Sequence, residues 1–297
     1  MTRDTRDWPR RDVSMKLAAF TASILVTACS KPTVATPELP YSALKPPGKV
    51  AVPFAPGLVT TEHLEVEGAF GHDMKTFYFL RQILGEPSRN YVIRYSDGAW
   101  SEPEEITTGD GEVFISPDSR TMHIGSQYRE RTISGWSEPK SLGAPYDAIP
   151  IMRLTASKSG TYVFDERDEI GTLRYSTVID GKRQPPQPFP AAVNSGEWTA
   201  HPFIAPDERF LIWDSERDDG FGGGDLYISF RQDDGSWGPA INMGDGVNDE
   251  HDNTFGSVTP DGKYFLFQTI DLDSETPSAN ILWIDASFID GLKQASR

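Results

Sequence analysis

A single cysteine, Cys29, stands in 297 residues, so the chain can form no internal disulfide and its stability rests on a packed core. Basic residues are also scarce. Twenty-eight Lys and Arg against 44 Asp and Glu leave a formal charge of −16. Phosphate recognition needs clustered Lys and Arg, so an extended nucleic-acid surface is excluded. A membrane-spanning run is missing too: the apolar stretch "LAAFTASILVTA" at 17–28 is well short of the roughly 20 residues a spanning helix needs. With 37% apolar and 24% charged residues, the body has the composition of a folded globular protein rather than a disordered one.

What is present begins at the amino terminus. A charged run ending in Met15-Lys16 precedes the apolar stretch, the order of a secretory signal, and Met15 is the better candidate for the true start. The stretch ends in "LVTAC" at 25–29, which resembles the lipobox of bacterial lipoproteins. That resemblance implies cleavage before Cys29, lipidation of its sulfur and a membrane contact through the lipid. Ser30 after the cysteine resembles lipoproteins sent to the outer membrane. Beyond it "SKPTVATPELPYSALKPPGK" reads as an extended Pro-rich tether. The expected division is a signal peptide over 1–28, a tether over 29–48 and one folded domain over 49–293.

The folded part repeats. "GHDMKTFYF" at 71, "SPDSRTMHI" at 116, "ASKSGTYVF" at 156, "APDERFLIW" at 205 and "TPDGKYFLF" at 259 align as a turn followed by a strand-like run. Pro fixes φ in the turn, and Asp bonds to the backbone two residues on, so Pro-Asp reads as a hairpin turn rather than a catalytic dyad. Each copy continues into a third strand, such as "NYVIRYS" or "GDLYISFR", and a fourth marked by "GAWSEPEEI", "GWSEPKSL" or "GSWGPAINM". Four short strands in every 40–50 residues is the pattern of propeller blades. The last copy stops after its third strand, "NILWIDA", while "GKVAVPFAPGLV" at 48–59 has fourth-strand character. The expected fold is all-β, a propeller of five blades of four antiparallel strands closed by an N-terminal strand, with six blades as the alternative.

The run "HPFIAPDERFLIWDSERDDGFGGGDLYISFRQDDGSWGPAINMGDGVNDE" at 201–250 resembles the TolB-like, WD-repeat-like propeller repeat built on a Pro-Asp turn. The similarity extends over about 50–290. It implies a periplasmic binding or scaffold protein, although the first and third copies lack Pro-Asp.

A propeller's ligand face is formed by the loops entering each first strand and leaving each second strand. The entering loops supply Glu62, Asp147, Glu197 and Glu250, and the leaving loops Asp165, Asp214 and Asp271, with His63, His201 and His251 interspersed. Three readings compete for these acids: hydrogen bonding to neighbouring backbone, binding of a cation or a cationic protein patch, and catalysis. Catalysis would make the chain a carbohydrate-active hydrolase or lyase using Glu197, Glu250, and His201 or His251, since glycoside hydrolysis needs two carboxylates at a set separation. Trp198, next to Glu197 and without a Trp counterpart in the other copies, is a candidate for stacking on a sugar or anchoring a partner. Trp100, Trp136 and Trp237 recur at one blade position and read as packing residues.

Two acidic runs offer oxygens to calcium: "DSERDDG", with Asp214, Glu216 and Asp218, and "DLDSE", with Asp271 and Asp273. Neither matches an EF-hand loop, and no cofactor is expected. The glycine run Gly220–Gly224 falls between two strands, not before a helix, so it reads as a tight turn with positive φ and not as a phosphate cradle. The reading at this level is a monomeric, lipid-anchored envelope propeller that binds an envelope protein or glycan through an acidic loop face.

Overall fold

The computed structural model describes residues 40–106, 111–272 and 274–295. Cys29, the signal, most of the tether and Asp273 lie outside the described residues.

The fold is all-β up to one C-terminal helix. Five times among the described residues a strand turns back on itself and continues as an antiparallel meander. Meander 1 comprises Leu64–Phe70, Thr76–Gln82, Arg89–Ser96 and Glu104–Ile106. Meander 2 comprises Val113–Ile115, Thr121–Ile124, Gln127–Thr132 and Lys140–Ser141. Meander 3 has Leu154–Ala156, Tyr162–Glu166, Thr172–Ser176 and Gln187–Pro188. Meander 4 has Trp198–Ile204, Phe210–Glu216, Gly224–Phe230 and Ile241–Asn242. Meander 5 has Asp252–Val258, Tyr264–Asp271 and Ser278–Asp285. Its outer neighbour is the N-terminal strand Val52–Pro53, antiparallel with Val52 opposite Trp283.

The turn chemistry works as its residues require. In every first turn the fourth residue is left-handed: Met74, Ser119, Gly160, Glu208 and Gly262 have φ between +57° and +86°. Asp73, Asp118, Asp207 and Asp261 each accept the amide two residues on, from Lys75, Arg120, Arg209 and Lys263. Meander 3 has a turn one residue shorter, since Ser157 N–H reaches Thr161 O where Ala205 N–H reaches Phe210 O, five residues on. Its turn therefore begins at Ser157. The sequence alignment that began this copy at Ala156 is one residue out of step on the inner strand.

The tryptophans recurring in the fourth segments do not extend the outer strands. Trp100 folds back onto Tyr95, Trp136 onto Arg131 and Trp237 onto Arg231. Proline, which lacks an N–H, follows each and delays the outer strand by several residues. Trp136 Nε1 donates to Tyr78 Oη of meander 1 (3.1 Å), and Trp237 packs edge-on to Phe189 of meander 3 (6.0 Å). These rings join neighbouring meanders.

The amino-terminal segment is bound to the sheets earlier than its composition suggests. Pro40–Leu44 forms a 3-10 turn with Tyr41 buried. Tyr41 packs on Tyr264 (5.2 Å), Lys263 Nζ donates to Tyr41 Oη (2.7 Å), and Trp100 Nε1 donates to Pro40 O (3.0 Å). The expected tether, 29–48, is thus docked from Pro40 on, because its one aromatic has an aromatic site to fill. Phe54, fully buried between Phe77 and Trp283, follows the closing strand, and burial of such a ring contributes roughly 2–3 kcal/mol. Downstream of meander 5 the helix Phe288–Ala295 sets Ile289 into the core that holds Phe230 and Phe265. No motif in "IDGLKQASR" announces it.

Candidate functional site

Aligned on the first residue of each turn, the inner strands carry five different residues four positions earlier: Glu67, Glu112, Arg153, His201 and Phe255. In meanders 1, 4 and 5 this residue sits at a β-bulge, with φ of +61° at Glu67, +47° at His201 and +62° at Phe255. Left-handed backbone costs a non-glycine residue about 1–2 kcal/mol, and here a hydrogen bond from the preceding meander holds it. His201 N–H donates to Asp165 Oδ2 (3.0 Å), Phe255 N–H to Asp214 Oδ1 (3.0 Å) and Glu67 N–H to Gln268 Oε1 (2.9 Å). Asp165, Asp214 and Gln268 occupy equivalent places on the second strands of meanders 3, 4 and 5, so the last bond runs from meander 5 to meander 1.

The side chains at this level form a buried ionic cluster. His201 lies between two carboxylates, with Nδ1 2.9 Å from Asp214 Oδ1 and Nε2 3.3 Å from Glu112 Oε1. Arg153, 1% exposed, stacks its guanidinium 3.7 Å from the Phe255 ring centre and sets Nη1 4.0 Å from Glu112 Oε2. Burial pulls the His201 imidazolium down, but Asp214 and Glu112 outweigh it and raise its pKa well above the usual 6.5. Burial, reinforced by Glu112, pushes Glu67 up to about 8. The same two causes push Asp165 up to about 6, against His201 and two backbone amides. At neutral pH the cluster therefore holds a protonated Glu67 and a protonated His201 beside an ionised Asp165.

Glu67, Glu112 and Arg153 were not among the residues singled out from the sequence. Their signal in the sequence is a repeated inner position whose residue changes in every copy, which the recurrence of acids does not reveal. Of the residues that were singled out, His201, Asp165 and Asp214 belong to the cluster. Glu62, Asp147, Glu197 and Glu250 are exposed, and Asp147 takes a hydrogen bond from Ser141. Trp198 is half-buried at the head of its strand, in register with Glu216. Glu197, Glu216 and Asp252 crowd one another at the rim between meanders 4 and 5. Partial burial raises the Glu216 pKa, and Asp252, Glu197 and Asp214 add to it.

Among the calcium candidates, Asp214 is committed on both oxygens to His201 and Phe255. Asp218 is exposed, and Asp271 accepts Ser274 N–H (3.2 Å). Beside Asp271, Asp249, Glu250 and His251 bring one donor atom each within 4.8 Å of one another. His251 Nδ1 lies 3.1 Å from Asp249 and its Nε2 3.6 Å from Asp271. These side chains are exposed or half-buried and already pair among themselves.

The glycine run answers to a different requirement from positive φ, which none of Gly220, Gly222, Gly223 and Gly224 shows. A Cβ on Gly222 would strike the carbonyl oxygens of His251 and Asp249, the latter at 2.6 Å, and one on Gly223 would strike Asp252 Oδ1. Gly224 N–H donates to that same oxygen (2.8 Å). Bare backbone lets this loop lie directly against the acidic loop 249–252.

No protein-family model matches the chain, and no curated protein matches it. Among solved structures it is similar to TolB from Acinetobacter baumannii, at 12% identity and a TM-score of 0.46 over 77% of this chain. The chain spans 59% of the length of that TolB. An α-L-arabinofuranosidase from Lactobacillus brevis matches at 11% identity and a TM-score of 0.48, covering 76% of this chain and 91% of that one. A periplasmic gluconolactonase from Pseudomonas aeruginosa matches at 11% identity and 0.43, covering 74% and 72%.

Proposed function

We propose that this chain is a TolB-like, five-bladed β-propeller of the bacterial envelope, held to a membrane, the outer one, by lipid on Cys29, and that it works as a non-enzymatic docking protein through its acidic rim. Each meander is a blade, the strand Val52–Pro53 supplies the fourth strand of the last, and the Glu67–Gln268 bond closes the circle. The observation that carries the docking reading is a division among the acids. Asp165 and Asp214 hold the amides of the next blade, whereas Glu197, Glu216 and Asp252 crowd at an exposed edge, where partial burial first and then Asp252 and Glu197 raise the Glu216 pKa. Like charges brought together at a surface are a standing attraction for a cationic patch on a partner.

The test is cross-linking and affinity capture of the tagged full chain from bacterial envelopes, against Glu197→Ala/Glu250→Ala. A stoichiometric partner lost in the double variant supports docking; equal capture by both forms refutes it.

A second reading has one specific observation in its favour. Glu67, pushed up to about 8 by burial, stands with Glu112, His201 and Arg153 in the central channel that a ring of blades encloses. A carboxyl group kept protonated at neutral pH is what the general acid of glycoside hydrolysis needs. Turnover of a glycan panel, abolished by Glu112→Gln, would establish that chemistry.

A further inference from the structure

Beneath the ionic cluster the channel becomes apolar. Ala69, Phe70, Ile115, Phe203, Val258 and Leu266 line a cavity of about 40 Å³, roughly three times what a single water needs. Its mouth lies among the hairpin turns, at His72, Pro206 and Pro260, and its lining includes Arg153. This is the end of the channel away from the loops that carry Glu197 and Glu250.

Three buried polar atoms at the cluster have no hydrogen-bond partner: Arg153 Nε, Arg153 Nη1 and Glu112 Oε2. Buried polar groups are nearly always satisfied, and here the unpaired donor Nη1 lies 4.0 Å from the unpaired acceptor Oε2. That gap is too long for a direct hydrogen bond. One chemical group meets both needs, because a hydroxyl accepts from Arg153 while donating to Glu112, at about 2.8 Å from each. A ligand carboxylate would face Glu112 and Asp165, and a ligand ammonium would face Arg153 and protonated His201.

We propose that the turn-side mouth of the channel is a binding site for a neutral, hydroxyl-bearing small molecule, whose hydroxyl bridges Arg153 and Glu112 and whose apolar part fills the cavity below. The site opens on the opposite face from the acidic rim, so it stands or falls separately from docking there.

The test uses the full chain with methyl-labelled Ile, Leu and Val, titrated with butan-1-ol, butylammonium and butyrate, which share one four-carbon skeleton. Butan-1-ol is expected to shift the Ile115, Val258 and Leu266 methyls at the lowest concentration, with the two ions at least about tenfold weaker, as loss of a hydrogen bond to a charged group implies. Arg153→Lys should weaken the alcohol by a similar factor, and Ala69→Leu, which fills the cavity, should remove it. Should either variant fail to fold, the ranking of the three probes on the unaltered chain still decides the matter. Equal shifts from all three probes, a preference for the ammonium, or shifts only at methyls outside the cavity would overturn the proposal, with the three atoms then satisfied by water alone.

Discussion

Asp214 and His201 meet at both carboxylate oxygens, with Nδ1 2.9 Å from Oδ1 and 3.1 Å from Oδ2, and Oδ1 also accepts the Phe255 amide of the next meander at 3.0 Å. One side chain thus fixes a bulge and the charge of the imidazole beside it. Asp214→Asn keeps an oxygen for the Phe255 amide and removes the charge. The His201 pKa should fall by about one unit or more, while the backbone signals of Phe255 stay in place. Ring-nitrogen NMR titration reads both, and an unchanged His201 pKa would show that Asp214 does not hold the proton there.

Three groups of the cluster have folded pKa values above their unfolded ones: Glu67 at about 8 against 4.5, Asp165 at about 6 against 3.8, and His201 well above 6.5. A raised folded pKa means the folded chain binds the proton more tightly. Its contribution is complete below the unfolded pKa and is lost as pH rises through the folded one. All three lower stability as pH rises, Glu67 between about 4.5 and 8 and Asp165 between 3.8 and about 6. Buried His123, pushed down to about 3, raises it up to about pH 6.5, so the share of the cluster is read as the difference between parent and variant. Glu67→Gln removes a buried carboxyl that must ionise near pH 8 and should leave the protein about 2 kcal/mol or more above the parent in stability there, with little difference at pH 4. Urea unfolding across this range measures the slope.

The glycine loop gives a prediction about close approach. Gly222→Ala places a methyl against the carbonyls of Asp249 and His251 and should cost more than about 1 kcal/mol, as overpacking against backbone does. Gly246→Ala, with no atom within 4 Å of its Cβ and no positive φ, should stay within about 0.5 kcal/mol of the parent. Thermal unfolding of the two variants side by side distinguishes a packing requirement from mere loop composition.

Closure through the amino-terminal segment is tested at Phe54. Truncation to Ala empties a site between Phe77 and Trp283 and should cost about 3–5 kcal/mol. If circular closure is what completes the fold, exposure of the strand Ser278–Asp285 should also make the variant prone to self-association. Light scattering during a denaturant series reports both, and a variant as stable and monodisperse as the parent would contradict the role given to this strand.

Much of the fold was legible in the sequence because it is repeated. Pro117-Asp118, Pro206-Asp207 and Pro260-Asp261 mark turns whose chemistry is local, and alternating aromatic and branched residues mark the strands after them. The third copy misled by one residue because its shorter turn compensates only in space, where Ser157 meets Thr161. Tyr41 could not be recognised as a docking residue from a Pro-rich surrounding, since its partners Tyr264 and Lys263 are more than 200 residues away. The site was half legible. His201, Asp165 and Asp214 stand out as acids or a histidine within strand-like runs, but Glu112 and Arg153 each stand just before a strand of only three residues. Only the packing of meander 2 against meander 3 brings those two to face each other, 4.0 Å apart.

The most direct test of the division between inner and rim acids is a parallel measurement on one envelope preparation: cross-linked capture and glycan turnover by the parent chain, by Glu197→Ala/Glu250→Ala, and by Glu112→Gln. The docking account predicts a stoichiometric partner with the parent and with Glu112→Gln, lost only in the rim double variant, and no turnover by any of them. Turnover by the parent that disappears in Glu112→Gln, with capture indifferent to the rim variant, would contradict it and place the chemistry at the channel centre.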